Sequence, residues 1–381
     1  MKSKVVLIRC NSYHQEEVNQ AIARGFELLG GVKTFVKAGE SILLKVNLLA
    51  GDVPEKCVTT HPAVFRAVAE QFLAAGASLR YGDSPGFGST GAAAKKAGIT
   101  EVAEQLKLVE ADFKDGRDVF FEEGNQNKKF FLANGVLDCD GLISLPKMKA
   151  HGLERFTGAV KNQFGCVVGM RKGEFHVKLP DATDFAKMLV DLNSYVKPRL
   201  YLMDGIMAME GNGPRGGTPR PMNVLLFSTD PIALDATASR IINLNPLFVP
   251  TTFIGAETGA GNYKEEDIEL VGDALKDFVC MDFIVERSPV KTIKKGRMIQ
   301  FMNNRLVAKP YIVEEKCTQC GTCVQSCPVE GKAVNWLKGD KTKAPVYDYS
   351  ICIKCYCCQE MCPESAIFLK EPLIIKVGKL F

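Results

Sequence analysis

Eight cysteines near the end of the chain repeat one spacing twice. Cys317, Cys320, Cys323 and Cys327 are followed by Pro328, and Cys352, Cys355, Cys358 and Cys362 are followed by Pro363. Each run reads C-x2-C-x2-C-x3-C-P, a spacing suited to iron–sulfur ligation. Three thiolates on a tight loop face one cluster, and the fourth, at a helix start, points to the other. The spacing therefore assigns Cys317, Cys320, Cys323 and Cys362 to one [4Fe–4S] cluster, and Cys352, Cys355, Cys358 and Cys327 to a second. Zinc ribbons use two C-x2-C pairs and do not explain four-cysteine runs closed by proline. Cys357 fits neither set and reads as a spare packed thiol. Between the runs, Val334–Leu337 and Pro345–Tyr349 read as a hairpin around a Gly-Asp turn.

The rest of the chain must say where the electrons go. It has 381 residues, 46% hydrophobic and 24% charged, with a formal net charge of +4. That is a globular composition, not a polycation, and nucleic acid is not an expected partner. The other five cysteines (Cys10, Cys57, Cys139, Cys166 and Cys280) are scattered and read as buried thiols. No cleavage-site pattern follows the short apolar start, and no uncharged apolar run approaches about 18 residues. The expectation is a cytoplasmic protein with no membrane partner.

Ahead of the cysteines, β-rich apolar runs alternate with helical patterns. "KVVLIRC", "SILLKVNLL", "SLRYG", "CDGLISLPK", "RLYLMDGI" and "MNVLLFS" read as strands. "EEVNQAIARGFELLGG", "HPAVFRAVAEQFLAAGA", "DATDFAKMLVDLNSYV" and "DPIALDATASRII" read as helices. The pattern predicts an α/β fold: a mostly parallel sheet with helices on both faces, plus a small C-terminal α+β domain. The predicted division is a body over 1–286, a basic linker or peripheral hairpin over 287–308, and the cysteine-rich domain over 309–381. The linker region carries Arg287, Lys291, Lys294, Lys295, Arg297, Arg305 and Lys309 without an acidic residue. It reads as a solvated basic surface, with docking of an acidic redox partner protein or contact with RNA phosphates as the sharper alternatives.

In such sheets ligands bind outside the carboxyl ends of strands. Four loops there are rich in polar groups. The first holds Lys45, Asn47 and His61. The second, "DSPGFGSTG", begins at Asp83 and reads either as a turn or as an anion cradle. The third holds Lys147, Lys149, His151, Lys161, Asn162, Arg171, Lys172 and His176, with Thr157 expected to cap a helix that carries Lys161. The fourth follows Asp204 and contains Glu210 and Arg215 in "EGNGPRGG", again either a turn or a place of close ligand approach.

"KVNLL", "TTHP", "GDSPG", "PKMKAH…FTGAVKNQFG", "DGIMAMEGNGPRGG" and "DPIALDATA" together resemble the domain-of-unknown-function family 362, over roughly residues 40–260. The cysteine-rich end, with "CPESAI" after its second run, resembles a two-cluster bacterial ferredoxin. A more distant resemblance is to the nickel-pincer lactate racemase superfamily. It rests on Asp140-Gly141-Leu142-Ile143, then His151, Thr157-Gly158-Ala159-Val160-Lys161, Gly165 and His176. Ala159 departs from that pattern, where a glycine is expected. The resemblance implies a cofactor anchor at Lys161, with His151 and His176 in proton transfer or metal contact.

The leading expectation is an oxidoreductase that passes electrons from two [4Fe–4S] clusters to a small anionic substrate or an unidentified body cofactor. Lys161, His151 and His176 are the expected catalytic residues. Lys45, Asn47, His61, Asp83, Lys149, Asn162, Arg171, Asp204, Glu210 and Arg215 are the expected substrate-binding set. The alternatives are an electron-transfer adapter whose body binds a partner, and a racemase-like enzyme with its cofactor on Lys161.

Overall fold

The computed structural model describes residues 2–169, 171–289 and 307–370. In the body, β1 is Ser3–Arg9, β2 Ser41–Lys45, β3 Ser78–Gly82, β4 Val109–Glu110, β5 Gly116–Phe120 and β6 Lys129–Ala133. β7 is Gly141–Ser144, β8 Lys147–His151, β9 Arg155–Thr157, β10 Leu200–Glu210, β11 Thr218–Ser228 and β12 Ile268–Gly272. Ten of these strands form one sheet in the order β12-β1-β11-β10-β7-β2-β3-β4, with β8 and β9 continuing beside β10. The pairs β2·β3, β2·β7, β3·β4, β7·β10, β8·β10 and β1·β12 are parallel, while β11 runs antiparallel to both of its neighbours.

Helices α1 (Gln15–Leu28), α2 (Pro62–Ala74), α3 (Thr90–Lys96) and α4 (Ile99–Gln105) cover one face of the sheet. Past the hairpin of β5 and β6 come α5 (Asn134–Leu137), α6 (Ala159–Asn162), α7 (Arg171–Lys178), α8 (Ala182–Val196), α9 (Pro231–Ile241) and α10 (Pro250–Thr258). The period of two along each strand explains why both faces are apolar. On β1, Val6 and Ile8 join the core under α1 and α2, whereas Val5 and Leu7 join the core under α9. On β2, Ile42 and Leu44 face one way and Leu43 the other.

Two sequence expectations are corrected here. Lys147–His151, read as loop, is strand β8 and pairs with β10 and β9. Its alternation K-x-K-x-H puts Lys147, Lys149 and His151 on one face. Thr157 does not cap α6; its Oγ1 lies 3.4 Å from the Lys147 carbonyl oxygen. The cap comes from afar: the Asp235 carboxylate on α9 accepts from the N–H groups of Ala159 (2.6 Å) and Val160 (3.2 Å). A Cβ on Gly158 would collide with that carboxylate, which is why glycine stands there.

The cysteine-rich end has its own small core. β13 (Lys309–Ile312) pairs with β16 (Ile367–Lys370), and β14 (Val334–Asn335) with β15 (Val346–Tyr347), the expected hairpin. α11 is Thr322–Ser326 and α12 is Cys357–Met361. α12 is the face that docks. Tyr356 and Leu369 pack into the core formed by Phe164, Phe185 and Leu189 of the body. The Gln359 amide donates to Asn212 and to the Gly213 carbonyl, and Asn212 donates to the Ile367 carbonyl (2.9 Å). Arg215 bonds the buried Asp52 (2.8 Å) and the Met361 carbonyl. The glycine-rich loop "EGNGPRGG" is thus the seat of this domain, and a Cβ on Gly213 would strike the Ala150 carbonyl.

Of the basic run, Lys291, Lys294, Lys295, Arg297 and Arg305 lie outside the described residues. Arg287 donates to the carbonyls of Phe283 (2.7 Å) and Ile242 (3.0 Å), so this residue braces the body.

Removing Arg215 leaves Asp52 buried with only the more distant Lys56 and Lys96 at 3.9 and 3.7 Å. We expect Arg215→Ala to cost about 2–3 kcal/mol. Backbone amides of 352–362 should exchange faster in hydrogen-exchange mass spectrometry, while those of β1 and β2 stay protected. Unchanged exchange at 352–362 would contradict the seat.

Candidate functional site between the body and the cysteine-rich domain

A cavity of about 580 Å³ opens where the carboxyl ends of β2, β3 and β7 meet the docked domain. Its body wall carries Asn47, Asp83, Lys147, Lys149, His151, Lys161, Asn162, Lys172 and His176. Its other wall is Ser326, Cys327, Pro328, Lys332, Cys357, Glu360 and Met361. Phe87 and Val177, both largely exposed, frame the mouth. This volume lies within the range of small-molecule pockets.

The lysines around the cavity differ in what holds them. Lys45, just behind the wall, is fully buried and pairs with Asp83 (2.9 Å), Asn162 (3.1 Å) and its neighbouring carbonyl Val46 (2.8 Å). Lys147 pairs with Asp204 (2.8 Å) and meets the Tyr13 hydroxyl (2.6 Å). Lys149 has only neutral partners, the Asn47 side chain and the Val58 carbonyl, each at 2.7 Å. Lys172 spends its protons on Ser84 (both oxygens) and the Val167 carbonyl. Lys161 is half-buried, and its ammonium lies over the rings of Phe164 (5.3 Å) and Phe185 (5.9 Å), with no hydrogen bond or carboxylate partner among the described residues. An ammonium has three protons. Lys149 therefore keeps one to offer and Lys161 all three.

Burial costs the charged form of an uncompensated amine. It pulls the Lys149 ammonium down to about 7, helped by the positive charges of Lys161 and Lys147. It likewise pulls Lys172 to about 7, against the opposing pull of Asp83.

The two histidines are not equivalent. His151 Nδ1 accepts from the N–H groups of Leu153 and Glu154, both at 3.1 Å. Its ring proton is therefore on Nε2, which lies 3.1 Å from Glu360 Oε1 without the alignment of a hydrogen bond. Burial lowers the pKa of this ring, against the opposing pull of Glu360. His176 is stacked on Phe185 (4.5 Å), its Nδ1 has no partner, and burial lowers it to about 4. Glu360 is held below the usual carboxylate range: burial raises it, but His151, Lys161 and His176 outweigh burial.

Several expected site residues are elsewhere. His61 is the N-cap of α2, its Nδ1 accepting from Ala63 N–H (3.1 Å), with its ring stacked on Tyr13 (3.5 Å); burial lowers it to about 4. Arg171 is exposed and lies over Phe131 (3.8 Å); the inward residue of that turn is Lys172. Lys45 and Asp204 sit behind the wall, pairing with Asp83 and Lys147. Glu210 accepts from Ile284 N–H (2.9 Å), and Arg215 holds the docked domain, so neither lines the cavity. Sequence reasoning missed Glu360 and the position of Cys357, taken for a packed spare thiol but lining the same cavity as Cys327. No local signal marks either one, since only docking brings them to the body. Of the scattered thiols, Cys10, Cys57 and Cys166 are buried, while Cys139 and Cys280 are partly exposed.

The structure bears on the first of the two expected cysteine sets most directly. Cys317, Cys320, Cys323 and Cys362 line one hollow. Burial pushes the Cys323 thiol up to about 12, with Cys362, Cys317 and Cys320 adding to the rise. Cys352 is raised by burial and by its neighbours Cys355 and Cys327. Donors point at the sulfurs: Tyr347 O–H to Cys358 (3.2 Å) and Ala366 N–H to Cys362 (3.3 Å). Such bonds suit thiolates that hold a cluster. Among the described residues no three His, Cys, Asp or Glu side chains are grouped closely enough for a single metal ion.

Residues 42–240 match the family described as "Domain of unknown function (DUF362)", and residues 309–363 match the "4Fe-4S dicluster domain". The chain is 38% identical over 252 residues to "Thylakoid-associated protein sll1697" of Synechocystis sp., covering 66% of this chain and 78% of that protein. Over 56 residues it is 39% identical to "Uncharacterized ferredoxin MJ0722" of Methanocaldococcus jannaschii, covering 15% of this chain and 70% of that one. The lactate racemase apoprotein of Thermoanaerobacterium thermosaccharolyticum aligns with a TM-score of 0.39 and 11% identity, over 60% of this chain and 54% of that chain. Among the described residues no helix is long and apolar enough to cross a membrane.

Lys149 generates a pH test. Its proton leaves as pH rises through about 7, so an anion in the cavity should bind more weakly above that pH. We expect one dimethyl-lysine NMR signal, absent in Lys149→Met, to titrate near 7. It should move upward when inorganic phosphate is added. A midpoint near the ordinary lysine value would refute the assignment.

Proposed function

We propose an activity for a chain that belongs to the DUF362 family and carries iron–sulfur electron-transfer machinery: reduction of a small anionic ligand in the cavity between its two domains. The observation that carries this reading is the shared wall. Cys327, assigned to the second cluster, lines the same cavity as Lys149, Lys161 and His176. When bound by the two cysteine sets, [4Fe–4S] clusters supply single electrons at low potential.

The chain's own residues do the rest. Lys161, whose ammonium makes no hydrogen bond among the described residues, and the third proton of Lys149 bind the anion. Asn47 and Asn162 hold Lys149 and Lys45 in place: Asn47 donates to Asn162 Oδ1 (3.2 Å), and Asn162 donates to Ser144 Oγ (2.9 Å). His176, neutral and with a free Nδ1, is the group that accepts or returns a proton at the ligand. His151 presents only its Nε2–H, since taking a proton at Nδ1 would break two backbone hydrogen bonds. It therefore orients Glu360 and the ligand rather than shuttling protons. Phe164, Leu49 and Met361 keep the ligand's body dry. Covalent attachment of the electron source keeps it at high effective concentration.

The test begins with native mass spectrometry of anaerobically purified protein, looking for mass beyond the clusters. Any retained molecule is released, identified and added back to dithionite-reduced protein while the visible absorbance of the clusters is followed. Reoxidation should depend on the molecule and fall at least about tenfold in Lys161→Ala, with cluster content unchanged. If no mass is retained and no carboxylate or phosphate compound oxidises the clusters faster in wild type than in Lys161→Ala, the reading fails.

A further inference from the structure

The lining of the cavity changes character from its inner wall to its rim. Lys147, Lys149, His151, Asn162, Lys172 and His176 all line it and are all buried. The carboxylates on this inner wall are engaged. Asp83 pairs with Lys45 (2.9 Å), and Glu360 Oε1 lies 3.1 Å from His151 Nε2. At the rim the order reverses. Phe87 and Val177 also line the cavity, yet they are 49% and 44% exposed. The exposed charges of the lining, Glu174 and Lys178, pair with each other at 3.3 Å. The inner end is thus cationic, and the outer end is apolar or self-neutralised.

Phe87 stands in a loop that the function proposed above does not use. The sequence leaves "DSPGFGSTG" either a turn or an anion cradle. In the fold it is a turn that carries a ring to the rim. Its base is tied down: the Asp83 carboxylate accepts from Leu48 N–H (2.7 Å), and the Thr90 hydroxyl donates to the Asp83 carbonyl (2.8 Å). Its tip is braced as well. Gly86 N–H donates to the Leu49 carbonyl, and a Cβ on Gly86 would lie only 2.9 Å from the sulfur of Met361 on α12. Among the described residues neither Phe87 nor Val177 joins an apolar core. Two large apolar side chains therefore meet water at the mouth of a cationic cavity without serving the packing of the fold. Exposed apolar surface of this kind marks a ligand groove.

We propose that the ligand is a carboxylate with an extended apolar body, and that Phe87 determines the preference for such a body. The head binds Lys161 and Lys149, and the body leaves the cavity between Phe87 and Val177. The inference rests on the anion site of the preceding section and deepens it by naming the class of ligand. Three observations carry it. The volume of about 580 Å³ suits a drug-sized molecule, well beyond a two- or three-carbon acid. The apolar rim gains when a ligand removes it from water. Asp83 and Glu360 share the inner wall, so a head with one negative charge meets less repulsion there than a dianion such as phosphate.

The experiment is isothermal titration calorimetry of the anaerobic holoprotein with acetate, hexanoate, octanoate and the neutral octanamide. Octanoate should bind roughly fivefold tighter than hexanoate, and hexanoate tighter than acetate. In Phe87→Ser the ratio of octanoate to acetate affinity should fall about fivefold, while Phe87→Leu should keep it within about twofold of wild type. A lesion of the fold would lower both affinities together and leave that ratio alone. Visible absorbance checks that each variant keeps its clusters. Acids that bind through Lys161 with no dependence on chain length, or a ratio unmoved in Phe87→Ser, would overturn the inference and leave the anion site standing. If no acid binds, if Lys161→Ala binds them as tightly as wild type, or if octanamide matches octanoate, the anion site itself falls.

Discussion

An ammonium can be buried in a protein only where something replaces water around it. Around this cavity that requirement is met unevenly, and the unevenness organises the site. Lys45 and Lys147 have carboxylates, Asp83 and Asp204, and are parts of the scaffold. Lys149 and Lys172 have neutral oxygens alone, and Lys161 has aromatic faces. Cationic groups gathered without matching carboxylates make a cavity that favours negative charge. The favour is strengthened where these groups are buried, because charges away from bulk water are screened less. Burial lowers Lys149 and Lys172 to about 7, which eases the cost of holding these two amines there.

The sheet makes this arrangement possible. Parallel strands end on one edge, so β2, β3 and β7 deliver Lys45, Asp83 and Ser144 to one place. β8 then prolongs the edge along β10 and turns Lys147, Lys149 and His151 inward by its twofold period. The helix with Lys161 is only one turn long and could not stand alone. It is held by Asp235, more than seventy residues away, whose carboxylate replaces the missing cap. The cysteine-rich domain closes the far side. Its α12 brings Glu360 and Met361 over the strand ends, and α11 leads into Cys327. The electron carrier is therefore a wall of the pocket, not an appendage tethered at a distance.

Much of this was legible in the chain. The cysteine runs needed no structure, because cluster ligation depends on local spacing and tight loops. The alternation of apolar runs gave the α/β body, since both faces of a parallel sheet must be apolar. Lys149, Lys161, Asn162 and His176 were expected near a site because polar residues crowded after strands have few structural uses, and all four line the cavity. What misled was the assumption that every polar residue near a strand end faces the ligand. His61 turned out to be a helix cap, Arg171 looks outward, and Arg215 and Glu210 serve docking and packing. In "RKGEFH" the choice between Arg171 and Lys172 depends on the angle at which α7 begins, which no local pattern encodes.

Residue types, spacing and periodicity determined by themselves what each segment is made to do, because those are short-range matters of backbone geometry and ligand chemistry. The sequence alone was enough to predict two cysteine sets, and it determined the mostly parallel sheet and the concentration of lysines and histidines after its strands. Tertiary structure decided which of those charges are paired and which are free. It set Asp235 under α6, Glu360 against His151 and Cys327 at the cavity wall. Each of these pairs joins residues whose meeting depends on the packing of separate elements. Burial, which turns a lysine into a neutral amine or a glutamate into an acid, is a property of that packing and not of the chain.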